Sequence, residues 1–225
     1  RSTGIPAYIT VDMKTQNTKI VRLEDGKGIQ YSQQAYFNDN LLRHVRFHYP
    51  CDMLGDPHFE LDESGNPYWV YPVLEHKIML FSGTDVKGVI TVDPVTGECE
   101  RYEQGDIPDW IDNVYSPEII MQQYDWYGSY QNGWLNSVIG QKGVVRTTEG
   151  YNYIPKGNDL YIYTGITSVV SDESNIGFIF TNLRTRETEF YEIAGAEEFS
   201  AMESAEGVVQ HLNYDATFPI LLMIE

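Results

Sequence analysis

Val92-Asp93-Pro94-Val95-Thr96-Gly97-Glu98-Cys99-Glu100-Arg101-Tyr102 is the stretch whose reading decides the fold. It has two ungapped counterparts, Val11-Asp12-Met13-Lys14-Thr15-Gln16-Asn17-Thr18-Lys19-Ile20-Val21 and Thr181-Asn182-Leu183-Arg184-Thr185-Arg186-Glu187-Thr188-Glu189-Phe190-Tyr191. Each reads as a strand, a short turn and a second strand. A short polar side chain at Asp12, Asp93 and Asn182 can bond the backbone further along, and a Thr follows three residues later on the far side of the turn. The flanks are rich in β-formers: Tyr8-Ile9-Thr10, Val89-Ile90-Thr91 and Phe178-Ile179-Phe180 lead in, while Ile20, Tyr102 and Phe190 lead out.

Working outward, a helical segment follows each hairpin. The first is expected over about 33–47 with Ser32 as cap, the second over about 109–127 with its main start at Ser116-Pro117-Glu118, and the third over about 197–210, short or broken because of Gly207. A further helix is expected over 131–139, ending at Gly140. Ahead of the second and third hairpins lies another strand pair. Its members are 59–62 with 68–71 around Glu63-Ser64-Gly65-Asn66, and 150–154 with 160–163 around Pro155-Lys156-Gly157-Asn158.

The fold expected is therefore α+β: antiparallel β-meander units of two hairpins, each followed by a helix packed on the sheet, with a period of 81 and then 89 residues. Three divisions follow: 1–50 as a partial first unit, 51–145 as the second, and 146–225 as the third with the start of a truncated fourth. The first residue is Arg, and Phe218–Ile224 falls where a next leading strand should stand, so the ends read as those of an excised piece.

Composition narrows the function classes. Among 225 residues, 33 Asp and Glu face 15 Lys and Arg, a formal charge of −18, which repels phosphate backbones and argues against nucleic acid. No run of about 18 apolar residues occurs, and the N-terminus lacks the basic-then-apolar pattern of a signal peptide. Two cysteines, Cys51 and Cys99, leave open one disulfide or two free thiols.

The strand, Asp-x-x-Thr-Gly turn, strand pattern beside a helix resembles the PepSY domain family, and Val92–Glu98 is the instance that carries it. The first copy has Gln16 and the third Arg186 in place of the Gly, and the third has Asn182 for Asp. The whole chain also resembles the outer domain of uncharacterised membrane-anchored bacterial proteins. The resemblance implies an extracytoplasmic, cell-surface location and a role in binding and restraining a protein or cell-wall partner. It supplies no catalytic residue.

Candidate chemistry is sparse. His44 and His48 share a helix face and lie near Asp52, Asp56, His58 and Glu60, donor types that suit zinc. The helix ends near Pro50 without a metalloprotease pattern, however, and His in a last turn suits the helix dipole, so no metal or other cofactor is expected and these two histidines are the weak alternative. Arg43 and Arg46 are expected to offset nearby carboxylates. The loops 62–66 and 171–175 are oxygen-rich without the spacing of a calcium loop. No nucleophile motif or phosphate-binding glycine loop is present, and 33 acids always contain some carboxylate pair, so no catalytic residue is assigned.

The surface candidate is the aromatic stretch 124–134, with Trp126, Tyr127, Tyr130 and Trp134 as ligand-binding residues. Rings beside Gln, Asn and Gly suit stacking and amphipathic contact. The competing and commoner role is that Tyr124, Tyr127 and Trp134 pack the helix onto the sheet. The functional expectation is a non-enzymatic extracytoplasmic interaction module. The alternatives are a carbohydrate-binding or polysaccharide-active cell-wall domain and a structural assembly subunit.

Overall fold

A computed structural model describes residues 4–12, 15, 17–23, 27–78, 82–169, 174–193, 195–196, 198–209 and 216. The architecture is α+β with mostly antiparallel sheets, and the chain divides into two compact units, Arg1–Val114 and Tyr115–Glu225. The expected divisions after residues 50 and 145 do not coincide with that boundary. The expected strand over 218–224 lies outside the described residues.

The first unit opens with the hairpin β1 (Ala7–Val11) and β2 (Thr18–Arg22). A 3-10 turn at Phe37–Asp39 leads into α1 (Leu41–His48). Then come β3 (Met53–Leu54), β4 (His58–Leu61), β5 (Pro67–Ile78), β6 (Ser82–Val92) and β7 (Cys99–Glu103). These five strands form one sheet in the order β3-β5-β6-β7, with β4 also paired to β5, and every pairing is antiparallel.

In the second unit α2 (Pro117–Tyr130) and a π-helical turn (Asn136–Gly140) precede β8 (Val145–Thr147), β9 (Asn152–Lys156), β10 (Asp159–Ser168), β11 (Ser174–Asn182), β12 (Thr188–Tyr191), β13 (Gly195–Ala196) and α3 (Glu198–Val209). Its sheet runs β12-β11-β10-β8, with β9 on β10 and β13 on β11. The order around the long central strands is the one seen in the first unit.

The Asp/Asn-x-x-Thr turns have a common bonding scheme. The backbone N–H groups of Asp12, Asp93 and Asn182 donate to the carbonyls of Asn17, Glu98 and Glu187, each at 2.9 Å. Oδ1 of the same three residues accepts from the backbone N–H of Thr15, Thr96 and Thr185 at 2.6, 3.1 and 3.0 Å. Each Thr hydroxyl then accepts from the N–H two residues on, at 3.4, 3.2 and 3.3 Å. An amide oxygen serves as well as a carboxylate, which is why Asn182 stands for Asp. The fifth residue is left-handed, with φ +80° at Gly97 and +62° at Arg186. Gln16 lies outside the described residues.

Helix boundaries depart from expectation where a tertiary partner decides them. The first helix is capped by Asn40, whose Oδ1 accepts from Arg43 N at 3.0 Å while its Nδ2 donates to the Gln33 and Ala35 carbonyls at 3.2 Å. That amide holds 33–36 in loop form ahead of the 3-10 turn, so Ser32 is not the cap. The second helix begins as Ser116-Pro117-Glu118 predicts, with Ser116 Oγ accepting from Ile119 N at 3.4 Å. Residues 109–116 are not helical: the Glu60 carboxylate accepts from the backbone N–H groups of Asp112 and Asn113 at 2.9 and 3.1 Å and fixes the segment as a turn. The helix expected over 131–139 reduces to Trp134-Leu135 and the π-helical turn, whereas α3, expected short or broken, runs on through Gly207 to Val209. Gly65 and Gly157 have φ +82° and +69° and occupy the two turns expected at 63–66 and 155–158.

The phase of helix and sheet differs from expectation. Leu41 and Val45 of α1 are fully buried against Tyr71, Val73, Ile90 and Val92 of β5 and β6, so α1 covers the meander that follows it. Truncating a buried leucine such as Leu41 to Ala costs about 2–5 kcal/mol. On the other face the Trp110 ring lies 5.1 Å from that of Tyr68. In the second unit α2 packs on β8 through buried Gly128, where an added Cβ would lie 2.2 Å from the Val145 carbonyl. The Asp125 carboxylate ties the two together by accepting from Thr147 N and Oγ1 at 2.7 and 3.0 Å. Among the described residues, Ile162, Ile166, Ile179 and Leu183 are the fully buried aliphatics of this unit.

Candidate functional site

The aromatic stretch straddles the end of α2. Tyr127, Tyr130 and Trp134 recur at spacings of three and four, with Leu135, Val138 and Ile139 in the turn beyond, and all six are exposed. Tyr127 is 65% exposed, Trp134 67% and Ile139 76%, so the packing role expected for Tyr127 and Trp134 is not theirs. Gly128 brings its own side of α2 close to β8, and Tyr130, two residues on, faces away from that contact, while Trp134 lies past the turn at Gly133 that ends the helix. Trp126 and Tyr124 are half-buried, and burial raises the Tyr124 phenol pKa. The Tyr124 and Tyr127 ring centroids are 6.3 Å apart.

Polar side chains around this ridge are committed to holding its shape. Gln131 Nε2 donates to the Gly143 carbonyl at 3.3 Å, and Asn132 and Asn136 Nδ2 donate to the Lys142 carbonyl at 3.3 and 2.9 Å. Lys142 N donates back to Asn136 Oδ1 at 3.2 Å. The 131–143 loop is therefore braced from within, and it presents apolar side chains outward. Sequence reasoning missed Leu135, Val138 and Ile139; a helix-like period with no polar partner face was their only signal.

A second cluster lies in the first unit. His44 Nε2 is 2.7 Å from the Gly97 carbonyl, and His48 Nδ1 is 3.0 Å from the His44 carbonyl. Tyr31 and His44 ring centroids are 4.3 Å apart, and those of His44 and His48 4.6 Å. The structure adds Cys99, whose thiol points to the Gly97 carbonyl at 3.5 Å. One ring nitrogen of each histidine and Cys99 Sγ all lie within 4.8 Å of one another. Cys99 is half-buried at the edge of the core, and burial pushes its thiol pKa up to about 11. Nothing in the sequence spacing points to Cys99, because it meets α1 only through the β6–β7 turn. Both cysteines are free thiols.

Three of the neighbouring donors named from sequence, Asp52, His58 and Glu60, serve elsewhere. Asp52 takes Lys87 and Arg101, each at 3.2 Å, and Glu60 holds His58 Nε2 at 2.8 Å besides the 112–113 backbone. Arg46 donates to the Asp52 carbonyl at 2.8 Å, and Arg43 lies 5.6 Å from the Phe47 ring centroid. The Asp62 loop is filled from inside. Burial works against its carboxylate, but hydrogen bonds from Asn66, Ser64 and Gly65 outweigh that and hold its pKa below the ordinary value. In the other oxygen-rich loop, Ser174 and Asn175 belong to β11, and 171–173 lie outside the described residues.

No family model, curated protein or solved structure matches the chain. Among the described residues no helix is long and apolar enough to cross a membrane.

Proposed function

We propose that this chain is a PepSY-like tandem of meander units that works outside the cytoplasm as a non-enzymatic interaction module of a membrane-anchored bacterial protein. In this reading each helix belongs to the meander that follows it. The common strand order, the common bonding of the Asp/Asn-x-x-Thr turns and the placement of α1 and α2 support the repeat. Location and anchoring rest on the resemblance carried by Val92–Glu98.

The observation that carries the interaction role is the braced, outward apolar ridge of Tyr127, Tyr130, Trp134, Leu135, Val138 and Ile139. Six exposed rings and aliphatics gathered in one segment are costly in water, and such exposure is characteristic of contact surfaces. It favours a protein partner over a polysaccharide on two counts. One amide donor of each of Gln131, Asn132 and Asn136, the side chains that would address sugar hydroxyls, is already engaged by a loop carbonyl. Branched aliphatics, moreover, offer a sugar ring no stacking face.

The test is photo-crosslinking from position 134 in cells of the natural host, beside retention of the purified chain on peptidoglycan. A single protein adduct, lost in a folded Tyr127→Ser/Ile139→Ser variant, supports the proposal. Retention on peptidoglycan without an adduct favours the polysaccharide alternative, and the absence of both adduct and retention would reject an interaction role for this face.

A further inference from the structure

We propose that His44, His48 and Cys99 form a three-ligand site for a zinc-class divalent cation, with a fourth coordination position left open. Two imidazoles and a thiol, one nitrogen or sulfur from each within 4.8 Å of the others, are a borderline-soft donor set, which selects zinc-type ions over magnesium or calcium.

The hydrogen bonds already made by the two histidines favour this role. A carbonyl oxygen only accepts, so His44 carries its proton on Nε2, toward Gly97, and His48 carries its proton on Nδ1, toward the His44 carbonyl. The second nitrogen of each ring, Nδ1 of His44 and Nε2 of His48, makes neither of these bonds, and these are the two nitrogens assigned to the metal. Donation of the second ring N–H to a fixed carbonyl is the arrangement that sets tautomer and ring orientation in metal-ligating histidines. The Gly97 carbonyl receives the Cys99 thiol as well, so one turn of the β6–β7 hairpin positions a histidine and the sulfur together.

Zinc–nitrogen and zinc–sulfur bonds of about 2.0–2.3 Å place tetrahedral ligands roughly 3.3–3.6 Å apart, so closure of about 1 Å completes the site. His48 is exposed on the last turn of α1 and can swing by that amount, whereas half-buried His44 and Cys99 keep their places. Coordination replaces the S–H bond with a metal–sulfur bond, and the proton leaves to solvent. The helix dipole accounts for a histidine at the end of α1. It gives no reason for a thiol and a second imidazole beside it.

The test is titration of the reduced, purified chain with Co²⁺, followed by displacement with Zn²⁺. A sulfur-to-cobalt charge-transfer band in the near ultraviolet, together with visible bands of tetrahedral intensity, is expected for the natural chain and for Cys51→Ala. Cys99→Ala should lose the charge-transfer band, and His48→Ala, at an exposed position, should bind Co²⁺ about tenfold or more weakly. Circular dichroism checks both variants, and if Cys99→Ala does not fold, His48→Ala decides. The proposal is overturned by the absence of a sulfur band, by its loss in Cys51→Ala, by its persistence in Cys99→Ala, or by unchanged affinity in folded His48→Ala.

Discussion

Gly97→Ala and Arg186→Gly perturb the same left-handed turn position in opposite directions, and the structure gives different magnitudes for the two. At Gly97, φ is +80° and an added Cβ would stand 2.5 Å from two ring carbons of Tyr31. The left-handed conformation costs an L-residue about 1–2 kcal/mol, of which the lower chain entropy of alanine returns about 0.5–1. Tyr31 cannot yield freely, because its ring packs on His44 and its carbonyl accepts from Trp69 Nε1 at 3.0 Å. Overpacking of that kind adds about 1–3 kcal/mol, so the expected loss is roughly 2–3 kcal/mol. Arg186→Gly relieves the left-handed cost. It also removes the guanidinium lying 5.3 Å from the Tyr115 ring centroid and its bond to Gln123 Oε1, so it should lie within about 1 kcal/mol of the natural chain. Urea unfolding followed by tryptophan fluorescence measures both. A Gly97→Ala midpoint indistinguishable from the natural one would refute the assigned turn geometry and the fixed place of Tyr31.

Three further outcomes are expected. Gly128→Ala gains about 1 kcal/mol of helix propensity but forces α2 off the Val145 carbonyl and strains the Asp125–Thr147 bonds; a net loss of about 1–3 kcal/mol in urea unfolding is expected, and a stabilised variant would contradict the close approach. Cys51 is exposed while burial raises the Cys99 thiol pKa to about 11, so a thiol reagent at neutral pH should titrate one fast and one slow group, and equal rates would count against the burial of Cys99. Because the folded Asp62 pKa is lowered, its charge contributes stability above the ordinary carboxylate pKa that is lost as pH falls through the folded value. The stability gap between the natural chain and Asp62→Asn should therefore close in acid below about pH 3.8, and a gap that widens there would reverse the sign.

The turns and the start of α2 were legible in the sequence because their causes are local. Asp12, Asp93 and Asn182 bond backbone within the same turn, and Ser116 caps the helix that Pro117 begins. What remained illegible depends on partners far along the chain. Residues 109–116 read as a helix until Glu60 takes two of their N–H groups across more than 50 residues. Asn40 replaces Ser32 as cap because its amide also closes the preceding loop. The spacing of Tyr127 and Trp134 fits core and surface equally, and the helix they would share ends at Tyr130, ahead of the turn at Gly133. Whether a helix covers the meander before it or after it leaves no periodic trace, since the apolar stripe is the same for either sheet.

That choice of sheet places the chemistry. By covering the meander that follows, α1 comes against the β6–β7 turn, where His44 meets the Gly97 carbonyl. In the second unit α2 meets the β11–β12 turn in a comparable way, with Arg186 Nη1 donating to Gln123 Oε1 at 3.1 Å. Gly97 and Arg186 hold the same left-handed position, so in the proposed repeat a helix twice reaches the turn of its own meander at the same point. Two residues on, however, the first unit has Cys99 and the second Thr188, and the helix contact is an imidazole in one and an amide in the other. The donor set proposed for metal therefore belongs to the first unit as an addition to the scaffold. The second unit, without those donors, instead turns the last part of its helix outward as the apolar ridge. The Asp/Asn-x-x-Thr turn is fixed by its own hydrogen bonds and tolerates such differences nearby, which lets one local design position two unlike surfaces.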